Sequence, residues 1–192
     1  MMLTSARASQ GTVLAAVFFS LFFAAYGAQL LIDPWFNYVP GVALVYLPAG
    51  IKLLAFVVGG VWGALGLFVA GVLTVPFVLH DLHAPSVYEV SRTALWVAAP
   101  YFTFVLIKHW RGLNGNLVGL THADIVLIGV GTTAASVMTS LVYDAMWFER
   151  APEMVQSAML AMALGDIIGI VVVLSLTRCA VSAFRQAYPS RL

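Results

Sequence analysis

Asp166 and Lys52 are the residues of this chain whose types and positions are best suited to chemistry. Asp166 lies within the apolar run 154–177, inside Gly165-Asp166-Ile167-Ile168-Gly169, and Lys52 interrupts the apolar stretch 42–79. A charge at bilayer depth costs about 2.5 to 3.5 kcal/mol on insertion scales, so it persists where it is paired, lines a wet cavity or has a function. A carboxylate and an ammonium in such surroundings predict a polar centre. It is either a structural pair or a site for a ligand, an ion or a proton. Lys52 closely follows Pro48-Ala49-Gly50. A helix break at Pro48 and Gly50 would free backbone carbonyls beside the ammonium, an arrangement that suits an anionic group. The alternative for Lys52 is snorkelling of its long stem to an interface.

The remaining polar groups are sparser. Glu89 and Arg92 stand three residues apart, on one face of a helix, and read as a local ion pair. Asp144 falls near a span end and joins Glu89 and Arg92 in an expected outer vestibule. His80-Asp81-Leu82-His83 offers two histidines that could seed a metal site with Asp81 or Glu89, but spacing fixes no third ligand, so no metal is expected. All four histidines fall at span ends, which argues against axial haem ligation. The late methionines read as core filler. Cys179 is the single cysteine, so an intrachain disulfide is impossible. No P-loop, nucleophile elbow or metalloprotease motif occurs, so neither an enzyme nor a cofactor is expected.

The elements that must position these groups follow from composition. Of 192 residues, 62% are hydrophobic and 9% charged, and mean hydropathy is +0.98. Soluble domains carry roughly 25% charged residues, so lipid must be the main solvent. Backbone groups in lipid pair internally, in helices or closed barrels. Continuous apolar runs of about 20 residues, rather than alternating segments of about 10, select helices. The expected fold is therefore all-α, a single polytopic helical-bundle domain over 1–192. The runs divide into six spans: 11–32, 41–58, 61–79, 87–107, 124–146 and 153–177. The second is the weakest, since Pro48, Gly50 and Lys52 also fit a broken or re-entrant helix. The first resembles a signal peptide but is long enough to span, and is read as retained.

Arg7, Lys108, Arg111, Arg178, Arg185 and Arg191 fall on one side of a six-span bundle, and Arg92 and Arg150 on the other. The positive-inside rule then places both termini in the cytoplasm. Trp35, Tyr38, Trp110, Trp147 and Tyr188 lie near span ends, as interfacial aromatics do. Gly59 with Gly63, and Gly165 with Gly169, have the small-xxx-small spacing that lets membrane helices approach closely. A net charge of +1 gives no field for nucleic acid.

Tyr46-Leu47-Pro48-Ala49-Gly50-Ile51-Lys52-Leu53-Leu54-Ala55, then Trp62-Gly63-Ala64-Leu65-Gly66, then Leu164-Gly165-Asp166-Ile167-Ile168-Gly169, occur in that order. This resembles the bacterial membrane-associated sensor domains, polytopic modules often fused to diguanylate cyclases and histidine kinases. Their pattern is Pro-x-Gly-x-x-x-Ala, a Gly-rich helix and a late Gly-Asp-x-x-Gly. The resemblance covers roughly a third of the chain. It implies a sensory module of the bacterial inner membrane, with Asp166 and the segment Pro48 to Lys52 at motif positions, and it implies no ligand. Members are usually longer, with about eight spans and a cytoplasmic output domain, and their pattern does not demand a charge at Lys52.

Three functions follow as expectations. The first is a sensory or regulatory membrane module that acts through a partner protein. The second is a small-molecule transporter subunit of the energy-coupling-factor type, with Ala24-Ala25-Tyr26-Gly27-Ala28 as the docking face for its coupling partner. The third is a structural accessory subunit of a larger membrane complex. The expected partners are the lipid bilayer, a membrane protein and a small-molecule ligand.

Overall fold

The computed structural model describes residues 2–39, 42–78, 86–113, 121–147 and 152–187. The described residues are almost wholly helical. Helix α1 (Met2–Phe36) leads into two short antiparallel strands, β1 (Asn37–Val39) and β2 (Val42–Ala43). Helix α2 (Leu47–Leu54) runs into a π-helical turn, Ala55–Gly59, followed by α3 (Gly60–Val78). Helices α4 (Val87–Trp110), α5 (His122–Trp147) and α6 (Pro152–Ala187) complete the order.

Five helical segments are long and apolar enough to cross a membrane: Ser9–Phe36, Leu47–Thr74, Val87–Trp110, His122–Tyr143 and Ser157–Phe184. This differs from the six spans that the apolar runs suggest. The expected second span, 41–58, begins later, because Val42 and Ala43 pair with β1. Its helix is also short. Eight residues of α2 and the five of the π-helical turn rise only about 20 Å, less than the roughly 30 Å of a hydrocarbon core. The segment Leu47–Thr74 is not straight. Gly60 has φ 54° and ψ −133°, a backbone state open mainly to glycine. A Cβ on Gly63 would lie 2.2 Å from the Ala55 carbonyl oxygen, so the chain folds back there as a helical hairpin. Pro48 therefore does not interrupt a span. It occupies the first turn of α2, where the missing N–H is harmless, and the interruption lies at Gly59 and Gly60.

The packing fixes relative directions. Gly11 meets Trp62 and Gly66 meets the Ala15 carbonyl, so α1 and α3 run in the same direction. Leu47 meets Gln29 and Gly59 meets Phe18, so α2 runs against α1. Helices α4 and α5 form an extensive antiparallel pair, with Ser91 near Tyr143 and Ile107 near Gly131. The core is built from Phe18 and Phe22 of α1, Leu53 of α2, Phe56 of the π-helical turn, Leu67 of α3, Phe104 of α4, Ile128 of α5 and Val173 of α6. Large apolar side chains also cover the outside, among them Leu31, Phe102, Val126 and Leu176. Such helices are apolar all round, as lipid-facing helices are.

Candidate functional site

The polar centre lies where α2, α5 and α6 meet. The Lys52 ammonium donates to the Ser136 hydroxyl of α5 at 2.6 Å and stands 3.8 Å from an Asp166 carboxylate oxygen of α6. It also sits 4.5 Å from the ring centre of Trp96 on α4, within cation–π range. Lys52 is 2% exposed and Asp166 7%. A lysine this deep in the bundle does not snorkel. The two charges that the apolar runs single out thus share one interior site, 114 positions apart in sequence.

Glycines create the room for this meeting. A Cβ on Gly169 would lie 1.9 Å from the Tyr46 carbonyl oxygen, and one on Gly165 2.1 Å from that of Ala43. The backbone of α6 therefore lies directly on the chain entering α2. The Tyr46 N–H donates to the Gly165 carbonyl at 3.0 Å across this seam. Gly50 faces the same helix, at Val173 and the Gly169 carbonyl. Its role is close packing, not helix breaking. Gly59 lies against Phe18 and Gly63 against Ala55. All of these small-residue contacts are within the chain.

Several partners carried no motif. Gln29 is buried in α1, donates to the Val45 carbonyl at 2.8 Å and accepts from the Leu47 N–H at 2.9 Å. It also donates to Asp33. This amide ties the irregular chain before α2 to α1, and its only sequence signal is a lone amide in an apolar run. Ser136 belongs to a row with Thr132 and Ser140, spaced by four on α5 and all buried. That periodicity is readable in the sequence. Thr132 returns its hydroxyl to the Ile128 carbonyl at 2.7 Å. Thr133, one turn before Ser136, is also buried, and its hydroxyl is the buried side-chain polar atom without a hydrogen-bond partner among the described residues.

The other expected site residues lie elsewhere. Glu89 accepts from the Ser86 N–H at 2.6 Å while Ser86 accepts from the Glu89 N–H, a capping box that starts α4. Arg92 is half-buried one turn further on. Ser91 and Tyr143 share a hydrogen bond between α4 and α5, and Tyr88 stacks on Tyr143. The side chain of Asp144 and residues His80, Asp81 and His83 lie outside the described residues. Among the described residues no group of three metal-ligating side chains occurs.

Chemically, the centre offers a desolvated ammonium, a carboxylate and hydroxyls in one place. A made N⁺–H···O⁻ bond is about 2.7 to 2.9 Å long, so the 3.8 Å approach is an attraction without a full hydrogen bond. Lys52 is shared between α5 and α6 and committed to neither carboxylate nor hydroxyl alone. Such a group can hold an anion, pass a proton or act as a clasp. No family model matches the chain, and neither does any curated protein or solved structure.

Proposed function

We propose that this chain is a sensory or regulatory module of the bacterial inner membrane, acting through a partner protein. In this reading the irregular chain before α2 completes the pass that the short α2 begins beside Gln29, and α3 makes another, giving six passes with both termini in the cytoplasm. The Lys52–Asp166 centre is its input element. The observation that carries the reading is the shared ammonium, 2.6 Å from Ser136 and 3.8 Å from Asp166. In this reading the clasp moves between two arrangements, one favouring α5 and one α6. A proton or small polar ligand that binds one arrangement better shifts the balance by its differential affinity. The Thr133 hydroxyl supports the same reading. Burying it unpaired costs about 1 to 3 kcal/mol, which a bound polar ligand or water would offset. The resemblance of residues 46–55, 62–66 and 164–169 to membrane sensor domains agrees with it.

A transporter subunit is the second reading, favoured by one observation. Ala24, Gly27 and Ala28 are exposed on α1, and a Cβ on Gly27 would meet nothing within 4 Å. That leaves a small-residue face open for a docking helix.

In-cell crosslinking of the tagged full chain, followed by purification in mild detergent, tests both. The sensory reading expects a kinase or cyclase whose activity changes when Ser136→Ala is introduced. Recovery of paired ATPase subunits with an unchanged kinase or cyclase output would replace it with the transporter reading. Recovery of a large complex insensitive to Ser136→Ala would replace both with an accessory role.

A further inference from the structure

A second built feature lies away from the polar centre, at the end of the bundle where α4 terminates. A cleft of about 520 Å³ opens between the π-helical turn and the last three turns of α4. Phe56, Tyr101 and Phe104 form an aromatic wall, with Phe56 and Phe104 buried and in ring contact. Gly59 and the glycine bend at Gly60 form the opposite rim, and Lys108 and His109 close the end. Val58 and Val105 are exposed at its edges, so the cleft opens onto the outward apolar surface.

Charge identifies the occupant. The lining includes a lysine and a histidine and no carboxylate. Among the described residues the Lys108 ammonium makes no ion pair, whereas neighbouring Arg111 is engaged by Asp124. Trp110, two residues on, is 72% exposed. An exposed tryptophan at a helix end marks headgroup depth, which puts Lys108 at the same level. The pattern is a cation at headgroup depth above a mixed polar and apolar slot, edged by the exposed Val58 and Val105, that opens sideways. A π-helical turn in the wall fits the tendency of such turns to mark functional sites.

We propose that this cleft binds an anionic phospholipid, its phosphate group at Lys108 and the first part of an acyl chain along Tyr101, Val105 and Val58. A soluble anion would use the lysine but not the exposed valine edges, Val58 and Val105. A neutral lipid would use the slot but not the lysine. Basic pockets between membrane helices bind anionic headgroups in this way. The site does not depend on the sensory reading. It rests on the membrane-spanning reading of the helices, which sodium carbonate extraction of the full chain checks separately.

The test is native mass spectrometry of the full chain released from vesicles of equal phosphatidylglycerol and phosphatidylcholine with matched acyl chains. The wild type should retain phosphatidylglycerol over phosphatidylcholine by about fivefold, the factor expected of one cation at the membrane surface. Lys108→Gln should bring the ratio close to one. Val105→Trp, which narrows the slot, should lower retention of phosphatidylglycerol with Lys108 still present. Equal retention of the two lipids by wild type overturns the site, as does an unchanged ratio in folded Lys108→Gln. Displacement of the lipid by inorganic phosphate alone would reassign the cleft to a free anion and also overturn it. If Lys108→Gln does not fold, Val105→Trp decides: unchanged phosphatidylglycerol retention in that variant overturns the site.

Discussion

Two ion pairs, Lys52–Asp166 and Arg111–Asp124, differ in almost every respect. Lys52 and Asp166 have side chains 3% and 10% exposed and stand 3.8 Å apart. Arg111 and Asp124 are 44% and 3% exposed, and their bond is 2.7 Å. The shorter pair is the more local one: it joins the end of α4 to the start of α5, where Asp124 also accepts from the Thr121 N–H and hydroxyl. The longer pair joins α2 to α6 and shares its cation with α5. The contrast teaches that distance does not rank importance here. A solvated arginine loses little when its partner is removed, because water replaces the carboxylate. A desolvated lysine has no such replacement, and its penalty is set by what remains around it.

The sharpest way to break the comparison is to remove Asp166. Asp166→Asn leaves the Lys52 ammonium buried with Ser136 and Trp96 but no counter-charge. The expected loss is about 3 to 5 kcal/mol, read as a lower unfolding midpoint in detergent titrated with denaturing surfactant. Adding Lys52→Met should recover much of it, since no stranded cation is left. If the double variant is as unstable as Asp166→Asn alone, the two charges do not act as a pair.

Next in size is Gln29, which sharpens the comparison by holding the polar centre in place without any charge. Gln29→Leu removes the acceptor for the Leu47 N–H and the donor to the Val45 carbonyl. Two backbone groups lose their partner, and the expected loss is about 1 to 3 kcal/mol. Because Gln29 fixes the chain just before α2, the variant should also speed exchange of the Leu47 amide, measured by hydrogen–deuterium exchange. Unchanged exchange at that amide would show that the seam against α6 positions α2 without Gln29.

These residues were unequally legible. Asp166 and Lys52 stand out because each is a charge in an apolar run, and their opposite signs already suggest one site. Their common location needs the fold, since 114 positions and the order of three intervening helices separate them. Ser136 could have been found from its spacing by four with Thr132 and Ser140, a buried row on one face of α5. Gln29 offered only a single polar side chain, and its partners are backbone atoms that leave no trace in sequence. The six apolar runs located the helices well, apart from 41–58. There Val42 and Ala43 are as apolar as any helix, so hydropathy does not separate a two-residue strand from a helical turn. Gly59 and Gly60 did mark the break, but nothing in the pattern distinguishes a loop between two full spans from a hairpin that begins with a short helix.

The smallest effect belongs to Arg111, and it tests the contrast from the other side. Arg111→Gln removes one bond from Asp124 but leaves those from the Thr121 N–H and hydroxyl. The carboxylate therefore keeps its capping role at the start of α5, and the unfolding midpoint should fall less than in either variant above. What loss there is should shrink as salt rises, because the guanidinium is exposed and screened within about 10 Å at 0.1 M. The loss from Asp166→Asn should change much less over the same salt range, since buried pairs are screened far less than exposed ones. Measured side by side over one salt series, the two variants separate exposure from distance as the source of the difference. If salt weakens both losses in parallel, the Lys52–Asp166 centre is reached by solvent, and the clasp is an open site rather than a buried one.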